Sequence, residues 1–298
     1  DRIGYPVLVR PSYVLGGRAM EIVYDRDSLE TFMKKAVDIS PERPVLIDKF
    51  LEDAIEVDVD AICDGSMCVI GGVMEHIEEA GVHSGDSAMV LPPYSLPRKV
   101  ISEIEESTKK IALDLNIRGL INIQYAVKNS DVYILEVNPR ASRTVPFISK
   151  VINVPLAKLA TRIMTGKTLA QLGFTQSVRP GFFAVKESVF PFSRFQGIDA
   201  TLGPEMRSTG EVIGIDSNFE MAYAKSQLAA GQKLPVSGSI FISVKDKDKP
   251  ASASIARGFK EMGFDIFASS GTGKYLVGKG LDVRIIPKVY EGERPNIV

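Results

Sequence analysis

Cysteine is scarce in this sequence. Only Cys63 and Cys68 occur, on either side of an Asp64-Gly65 pair that is typical of a tight hairpin turn. A metal site built on these thiols would need further Cys or His ligands beside them. We therefore predict two reduced thiols in the core, in agreement with a cytoplasmic setting.

The sequence also lacks an excess of charge of either sign and any long apolar run. Its 36 Lys and Arg residues are balanced by 37 Asp and Glu residues, which leaves no basic surplus for binding nucleic acid. No apolar run approaches the roughly 18 residues that a membrane span requires. The opening DRIGYPVLVR does not have the pattern of a signal peptide. We expect neither nucleic acid nor a membrane as a partner.

Length and patterning predict two domains. A chain of 298 residues is long for one domain and sufficient for two. Through residues 1–234, antiparallel strand pairs broken by helices indicate an α+β domain. Beyond Leu234 the pattern becomes βαβαβ, which predicts a separate α/β domain over 235–298. Neither end carries a closing element, so we expect a fragment, with the first domain incomplete at its start and the second at its end.

Periodicity places the elements within these domains. Alternation over 56–62 predicts a strand whose covered face carries Val57, Val59 and Ala61. Residues 151–173 are predicted to form a single helix that ends at Gly173, and the run SSGTG at 269–273 is predicted to be a turn between a strand and a helix.

One strand pair carries the most informative polar residues. Glu136 and Asn138 are two apart on a strand and so share a face. If the preceding hairpin loop has three residues (129–131), Gln124 lies directly opposite Glu136. One carboxylate and two amide oxygens suit Mg²⁺ or Mn²⁺, which also bind nucleotide phosphates. An ordinary solvated polar face on a two-stranded ribbon remains the alternative.

Arginines and a glycine pair extend this pattern. Arg140 and Arg143 follow the strand directly. An arginine beside a metal stabilises the charge that builds up on a phosphoryl group during its transfer. Ordinary ion pairs on the surface are the alternative explanation for these two arginines. The loop from Arg10 to Arg18 contains Gly16-Gly17, which either lets backbone amides approach phosphate or simply forms a turn. It is neither a Walker A motif nor a dinucleotide fingerprint.

The two histidines show no catalytic triad. His83 lies in a loop rich in Gly, Ser and Asp, where it either lines a site or only caps the backbone, and His76 at a strand end is predicted to be structural. Neither pairs with a nucleophile pattern, so a triad hydrolase has no support.

Several long strings together resemble a known family. The chain resembles, over essentially its whole length, the ATP-grasp units of carbamoyl phosphate synthase large chains. The strings that carry the resemblance are RPSYVLGGRAM, GVHSGDSA, the Gln-x11-Glu-x-Asn arrangement that ends in EVNPRASRTVPF, and GPEMRSTGEV. The resemblance is closer to the second, carbamate-phosphorylating half, because a regulatory-type segment follows. It implies ATP-dependent phosphorylation of carbamate with two ATP-bound Mg²⁺ or Mn²⁺ ions, and ammonia supplied by a separate glutaminase small chain. Pyrimidine and arginine biosynthesis would use the product.

The resemblance also implies roles for individual residues. Arg10 would contact phosphate, the 14–18 loop would close over the triphosphate, and Arg143 would steady the carbamate or the transferring phosphoryl group. Divalent metal would be bound by Gln124, Glu136 and Asn138. The residues implied to contact ATP are Arg10, Lys49, Leu51, Glu56, Gly81, Val82, His83, Ser84, Gln124 and Glu136. Carbamate is already an anion, so no general base is required.

The last segment resembles the methylglyoxal-synthase-like allosteric domain of the same large chains. There Ser269 and Thr272 would form a phosphate-binding turn for a nucleotide effector, with Lys288 nearby. The family usually has Thr where this chain has Ser269, which puts the identity of the effector in question, and a plain strand-to-helix turn is the alternative. Two other functions stay open: a different ATP-grasp ligase, such as a biotin-carboxylase-like enzyme, and a nucleotide- or effector-binding module without turnover.

Overall fold

The computed structural model describes residues 3–11, 20–39, 44–192, 200–203, 205–292 and 294. The chain divides into two compact units, Asp1–Gln232 and Lys233–Val298. No helix within the described residues is long and apolar enough to cross a membrane.

A small antiparallel sheet opens the first unit. Its strands are β1 (Val7–Pro11), β2 (Glu21–Val23) and β3 (Val45–Lys49), in the order β2-β1-β3, with helix α1 (Arg26–Ile39) between β2 and β3 in sequence. The helix presents Leu29, Phe32 and Met33 to the sheet, where they pack with Val7 and Val9. Burial of this apolar stripe explains why an otherwise polar helix is stable here.

A seven-stranded antiparallel sheet forms the centre of the first unit. Its order is β10-β9-β6-β5-β4-β7-β8. The strands are β4 (Ile55–Asp64), β5 (Cys68–His76), β6 (Met89–Leu91), β7 (Arg118–Lys128), β8 (Asp131–Asn138), β9 (Phe183–Val189) and β10 (Gly210–Asp216). The α+β class predicted from the strand pairs is thereby confirmed.

Helices cover this sheet and bury both of its sides. Helix α2 (Arg98–Asp114) packs on the side that carries Val57, Val59 and Ala61, as the alternation predicted. Cys63 and Cys68 lie in the same cluster as cross-strand partners, and both are free and buried, which confirms the prediction for the thiols. Helix α6 (Phe219–Ala229) packs against β9 and β10.

The single helix predicted over 151–173 is wrong. The structure has three short helices instead, α3 (Val145–Val151), α4 (Leu156–Met164) and α5 (Leu169–Leu172). Asn153 adopts a left-handed φ of 53° and Pro155 precedes α4, so the chain cannot continue as a helix there. Gly173, at φ 68°, does end α5 as predicted. These helices supply about half of the largest core cluster, with Phe147, Ile148, Leu156 and Leu169 buried.

The second unit is a three-stranded parallel sheet with two crossover helices. Strands β11 (Ser239–Ile242), β12 (Asp265–Ser269) and β13 (Arg284–Ile286) pair in that order, joined by α7 (Lys249–Glu261) and α8 (Ser270–Gly278). The predicted βαβαβ order is correct. The predicted SSGTG turn is wrong, because Ser269 still belongs to β12 and α8 begins at Ser270.

Candidate functional site

The hairpin of β7 and β8 places Gln124 directly opposite Glu136. The predicted three-residue loop is wrong: Lys128 pairs with Asp131, and the turn contains only Asn129 and Ser130, both at positive φ. A regular continuation of that register would put Leu135 opposite Gln124 and turn Glu136 toward α2. A bulge shifts the register between Gln124 and Tyr125 and brings Glu136 back to the polar face.

The bulge is visible in how β8 packs. Val132 and Val137 both pack against the cluster on the α2 side, although they are five residues apart. An odd spacing would put them on opposite faces of a regular strand. Glu136 and Asn138 lie beyond the bulge on the other face, where Asn138 Nδ2 donates to Glu136 Oε1 at 2.7 Å. The predicted common face of these two residues is therefore confirmed.

This trio fits a hard divalent cation by its chemistry. Because the Asn138 amide donates through nitrogen, its oxygen stays available, and Glu136 adds an exposed carboxylate beside the amide of Gln124. Oxygen donors of this kind suit Mg²⁺ and Mn²⁺. Among the residues that the structure describes, no group of three His, Cys, Asp or Glu side chains could hold a metal.

Strand β4 adds carboxylates to the same face, and two of them lie beside His76. Asp58 is the cross-strand partner of Gln124 and is buried, with Oδ2 at 2.8 Å from His76 Nε2 and Oδ1 accepting from Asn122. Burial acts to raise the pKa of Asp58, but the hydrogen bond and charge of His76 outweigh it and lower the pKa. Glu56 lies 3.5 Å from His76 Nδ1, and burial raises its pKa.

The loop before β6 is fixed to this face and to β9. Gly81 donates its N–H to Glu56 Oε1 at 3.0 Å. His83 Nδ1 accepts from the Gly85 N–H, so a neutral ring carries its proton on Nε2. Ser84 offers its carbonyl to Lys186 Nζ at 3.1 Å. His83 therefore accepts a hydrogen bond from the backbone, which was one of the two roles predicted for it, and this contact lies in the loop of the candidate site.

A cavity of about 230 Å³ lies between this loop and Arg143. Its charged lining residues are Arg143, Lys186 and Glu211, and the residues with hydroxyl groups are Ser84, Thr144, Ser208 and Thr209. Burial lowers the pKa of Lys186, opposed by the charges of Glu211 and other carboxylates. Burial and then the charge of Arg143 lower the pKa of His83. Two cationic side chains beside a small cavity suit a small anion.

The residues predicted on the small sheet are held by other contacts. Arg10 pairs with Asp48 at 3.0 Å, and both are about half exposed. Lys49 Nζ donates to the carbonyls of Gly4 and Tyr5, and Leu51 accepts from the Ala54 N–H. The 14–18 loop lies outside the described residues. Arg140 turns back on its own segment and donates to the Ala141 carbonyl.

In the second unit, two of the three predicted effector residues are in contact. Ser269 and Thr272 are buried, and Ser269 Oγ lies 2.9 Å from Ser243 Oγ and 3.3 Å from Thr272 Oγ1. Glu291 links Lys288 to this region, because its carboxylate accepts from the Lys288 N–H and from Ser270 Oγ. Lys249, which the sequence analysis overlooked, reaches toward Gly271 and pairs with Asp246 at 2.6 Å.

Comparison with known families decides the membership of the chain. The family model described as "Carbamoyl-phosphate synthase L chain, ATP binding domain" matches residues 1–172. The chain belongs to this family. A second model, described as "MGS-like domain", matches residues 252–298.

Curated relatives of this carbamoyl-phosphate synthase family member are similar along its whole length. The carbamoyl phosphate synthase large chain of Archaeoglobus fulgidus is 60% identical over 100% of this chain, and that of Methanothermobacter thermautotrophicus is 61% identical over 100%. The chain covers 28% of each. A separate protein of Aquifex aeolicus, named as the C-terminal section of the large chain, is 55% identical and is covered to 58%.

Solved structures show the same fold at low identity. A biotin carboxylase–β,γ-ATP complex from Campylobacter jejuni matches with a TM-score of 0.54 and 19% identity, over 63% of this chain and 43% of that one. The biotin carboxylase domain of Hydrogenobacter thermophilus 2-oxoglutarate carboxylase, solved with MgADP and bicarbonate, gives 0.53 and 16%, over 72% and 52%. The family member therefore has a biotin-carboxylase-like, ATP-grasp fold.

Sequence reasoning missed Asp58, Lys186 and the place of His76 in this family member. The signal for Asp58 was present, because Glu56, Asp58 and Asp60 alternate with the apolar residues of β4 and so share the polar face. No sequence pattern pointed to Lys186, because it lies in β9, a strand that was not predicted.

Proposed function

We propose that this chain forms the part of a carbamoyl phosphate synthase large chain that binds ATP and phosphorylates carbamate to carbamoyl phosphate. Such a protein would serve pyrimidine and arginine biosynthesis. The observation that carries the proposal is the cross-strand pair of Gln124 and Glu136, with Asn138 in contact, on the same face as the cavity at Arg143. The chain spans 28% of the large chains it resembles, so the activity is proposed for the protein that contains it.

Gln124, Glu136 and Asn138 would hold the divalent ions, Mg²⁺ or Mn²⁺, that accompany ATP. When bound, such an ion neutralises charge on the nucleotide phosphates. Asp58 accepts hydrogen bonds from His76 and Asn122 and lies opposite Gln124, which supports the ligand strand from beneath. This arrangement holds the ligands in place before the nucleotide arrives.

Arg143 and Lys186 would receive the acceptor. Carbamate is a small anion, and these two cations line a cavity of suitable size beside the loop at His83. Because the acceptor oxygen already bears negative charge, attack on the terminal phosphate requires orientation and charge stabilisation rather than a general base. Arg143 is the residue we assign to contact with the carbamate or the transferring phosphoryl group.

The nucleotide itself would contact residues from two parts of the first unit. We assign Arg10 to phosphate, the backbone of Lys49 and Leu51 to adenine, and Glu56 to the ribose hydroxyls. Gly81, Val82, His83 and Ser84 would line the pocket. Glu56 already holds the Gly81 N–H, so the ribose contact and the pocket loop would be fixed by one carboxylate.

The remaining assignments concern partners and regulation. A glutaminase small chain would supply ammonia to the large chain, and the cytoplasm is the expected location. We assign residues 1–234 to the ATP-grasp domain and 235–298 to a regulatory domain. Ser269, Thr272 and Lys288 would bind a phosphorylated nucleotide effector, because hydroxyls and free N–H groups at the start of α8 suit an anion.

Glu136→Gln in the full-length large chain tests the central assignment. The change keeps shape but removes the one charged ligand, so we expect carbamoyl phosphate synthesis to fall by at least about a hundredfold at ordinary Mg²⁺. Glu103→Gln, on the exposed side of α2, is the matched control and should act as wild type. Near-normal turnover of Glu136→Gln would overturn the metal assignment. ATP binding without any ADP formation by the wild-type large chain would indicate a binding module instead.

A further inference from the structure

Asp60 is a buried carboxylate to which the proposed chemistry gives no task. It lies in the centre of β4, between β5 and β7, and its side chain is fully shielded from solvent. Its Oδ2 atom accepts hydrogen bonds from Ser142 Oγ at 2.8 Å and from Thr144 Oγ1. These two residues are 82 and 84 positions away in sequence, so the contact joins the central sheet to a distant segment.

Ser142 and Thr144 flank Arg143. Ser142 Oγ also accepts from the N–H groups of Thr144 and Val145, which caps the start of α3. Thr144 is buried, and Val145 belongs to the largest core cluster. Arg143 is the exposed residue of this segment and lines the cavity, while its two neighbours are fixed to one carboxylate. The backbone at Arg143 therefore has little freedom.

A buried carboxylate is a costly means of anchoring this segment. Asp60 Oδ1 has no hydrogen-bond partner among the described residues, although it is buried. Burial, together with the charge of Asp58, raises the pKa of Asp60 to about 6, against the lowering effect of the two hydroxyls and of the Asn122 amide. An uncharged side chain of the same shape would avoid this cost, since buried charges contribute weakly to stability. Both hydroxyl contacts of the carboxylate run to the segment that carries Arg143.

We propose that Asp60 is a positioning residue for the phosphorylation of carbamate, which acts by holding Ser142 and Thr144 so that Arg143 points into the cavity. This inference rests on the proposed function, in which Arg143 contacts the acceptor. It predicts that Asp60 affects the acceptor side of the reaction and acts through Arg143, while nucleotide binding is unaffected.

The test uses the reverse reaction of the full-length large chain, in which carbamoyl phosphate and ADP give carbamate and ATP. The phosphoryl group leaves the carbamate oxygen and joins the terminal phosphate oxygen of ADP, so no further reactant is needed. For Asp60→Asn we expect kcat/KM for carbamoyl phosphate to fall about ten- to a hundredfold, with the KM for ADP within twofold of wild type. Asp64→Asn is the matched control on the same strand, since Asp64 accepts from the N–H groups of Met67 in its own turn and of Leu169 at the start of α5, and does not line the cavity.

A double-mutant cycle separates positioning from general damage. Residues that act through one another are not additive. In an Arg143→Ala background, Asp60→Asn should therefore cause less than a threefold further loss. An undiminished additional loss in that background would overturn the inference. So would wild-type kinetics of Asp60→Asn itself.

Variants of the hydroxyl partners keep the inference testable if Asp60→Asn does not fold. Thr144→Ser retains the donor to Asp60 and should keep nearly wild-type kinetics, whereas Thr144→Val removes it and should lower kcat/KM for carbamoyl phosphate as Asp60→Asn would. Equal activity of the Ser and Val variants would contradict the inference. If Arg143→Ala alone has wild-type kinetics, the proposed role of Arg143 fails first, which distinguishes the two failures.

Discussion

Asp58 and Asp60 are both buried on the same face of β4, yet their pKa values are shifted in opposite directions from the ordinary value of an aspartate. Burial disfavours the charge of both. Asp58 is compensated by His76, Asn122 and Gln124, so its pKa is lowered. For Asp60 burial prevails, because the hydroxyls of Thr144 and Ser142 and the amide of Asn122 are neutral and the charge of Asp58 repels its own, so its pKa rises to about 6. Two carboxylates only two residues apart thus have different partners: Asp58 lies beside the proposed metal ligand Gln124, and Asp60 accepts from the residues on either side of Arg143.

This difference predicts a pH effect on stability that Asp60→Asn removes. The folded chain binds the Asp60 proton more tightly than the unfolded chain, whose carboxyl has its ordinary pKa of 3.8. The resulting stability is fully present below pH 4 and is lost as the pH rises through about 6. Between pH 4.5 and 7, wild type should lose about 2 kcal/mol relative to Asp60→Asn.

Thermal and urea unfolding of both proteins at the two pH values measure this difference. A variant that gains in relative stability near neutral pH while it loses reverse activity would show a charge kept for function at a cost in stability. A constant difference in stability between pH 4.5 and 7 would show that Asp60 titrates at its ordinary value in the folded chain.

At the scale of elements, the β7–β8 hairpin shows how far sequence reasoning reaches. Alternation correctly predicted that Glu136 and Asn138 share a face and that Gln124 lies opposite Glu136. The loop length behind that prediction was wrong, and a bulge compensated the error. Asn129 and Ser130 occur in hairpin loops of two and of three residues, so the sequence does not distinguish the two lengths. The bulge becomes evident only from the packing of Val132 and Val137 against the α2 side.

The rest of the site depends on contacts that no local pattern encodes. The place of Lys186 depends on β9 pairing with β6, and strands so far apart in sequence have no local signature of their partners. Likewise, Asp60 meets Ser142 across 82 residues. The helix predicted over 151–173 failed because Asn153 and Pro155 interrupt an apolar pattern that is otherwise continuous.

The hairpin turn supplies a prediction at this scale. Ser130 adopts φ 72°, a left-handed conformation that a residue with a Cβ disfavours and glycine accepts. Ser130→Gly should therefore raise the free energy of unfolding by about 1 kcal/mol. Ser237→Gly is the control, because Ser237 is exposed and is not among the positive-φ residues, so glycine should be neutral or destabilising there. A loss of stability in Ser130→Gly would contradict the two-residue turn.

At the scale of the whole molecule, the proposed metal ligands lie at an open edge of the sheet. Strand β8 is one of the two edge strands of the seven-stranded sheet, and it carries three consecutive exposed apolar residues, Tyr133, Ile134 and Leu135, directly before the exposed Glu136. Phosphoryl transfer requires ATP, metal and acceptor to be held in register and shielded from water, since exposure weakens every charge contact. In this chain Arg143 and Glu136 are both exposed, so the proposed acceptor side and the proposed metal side are both accessible to solvent.

We therefore expect this chain of 298 residues to bind ATP weakly and to form carbamoyl phosphate at less than about 1% of the rate of a full-length large chain, because a misplacement near 1 Å costs about a hundredfold. The chain would receive ATP, Mg²⁺, bicarbonate and ammonia, with product trapped by an ornithine carbamoyltransferase, and ATP binding would be measured separately by titration. A full-length large chain is the positive control, and its Glu136→Gln variant sets the background. Turnover comparable with the full-length protein would mean that the exposed edge at β8 does not limit the chemistry. ATP binding without turnover would instead indicate that the chemistry needs the edge at β8 to be shielded from water, since Leu135 and Glu136 are exposed there side by side.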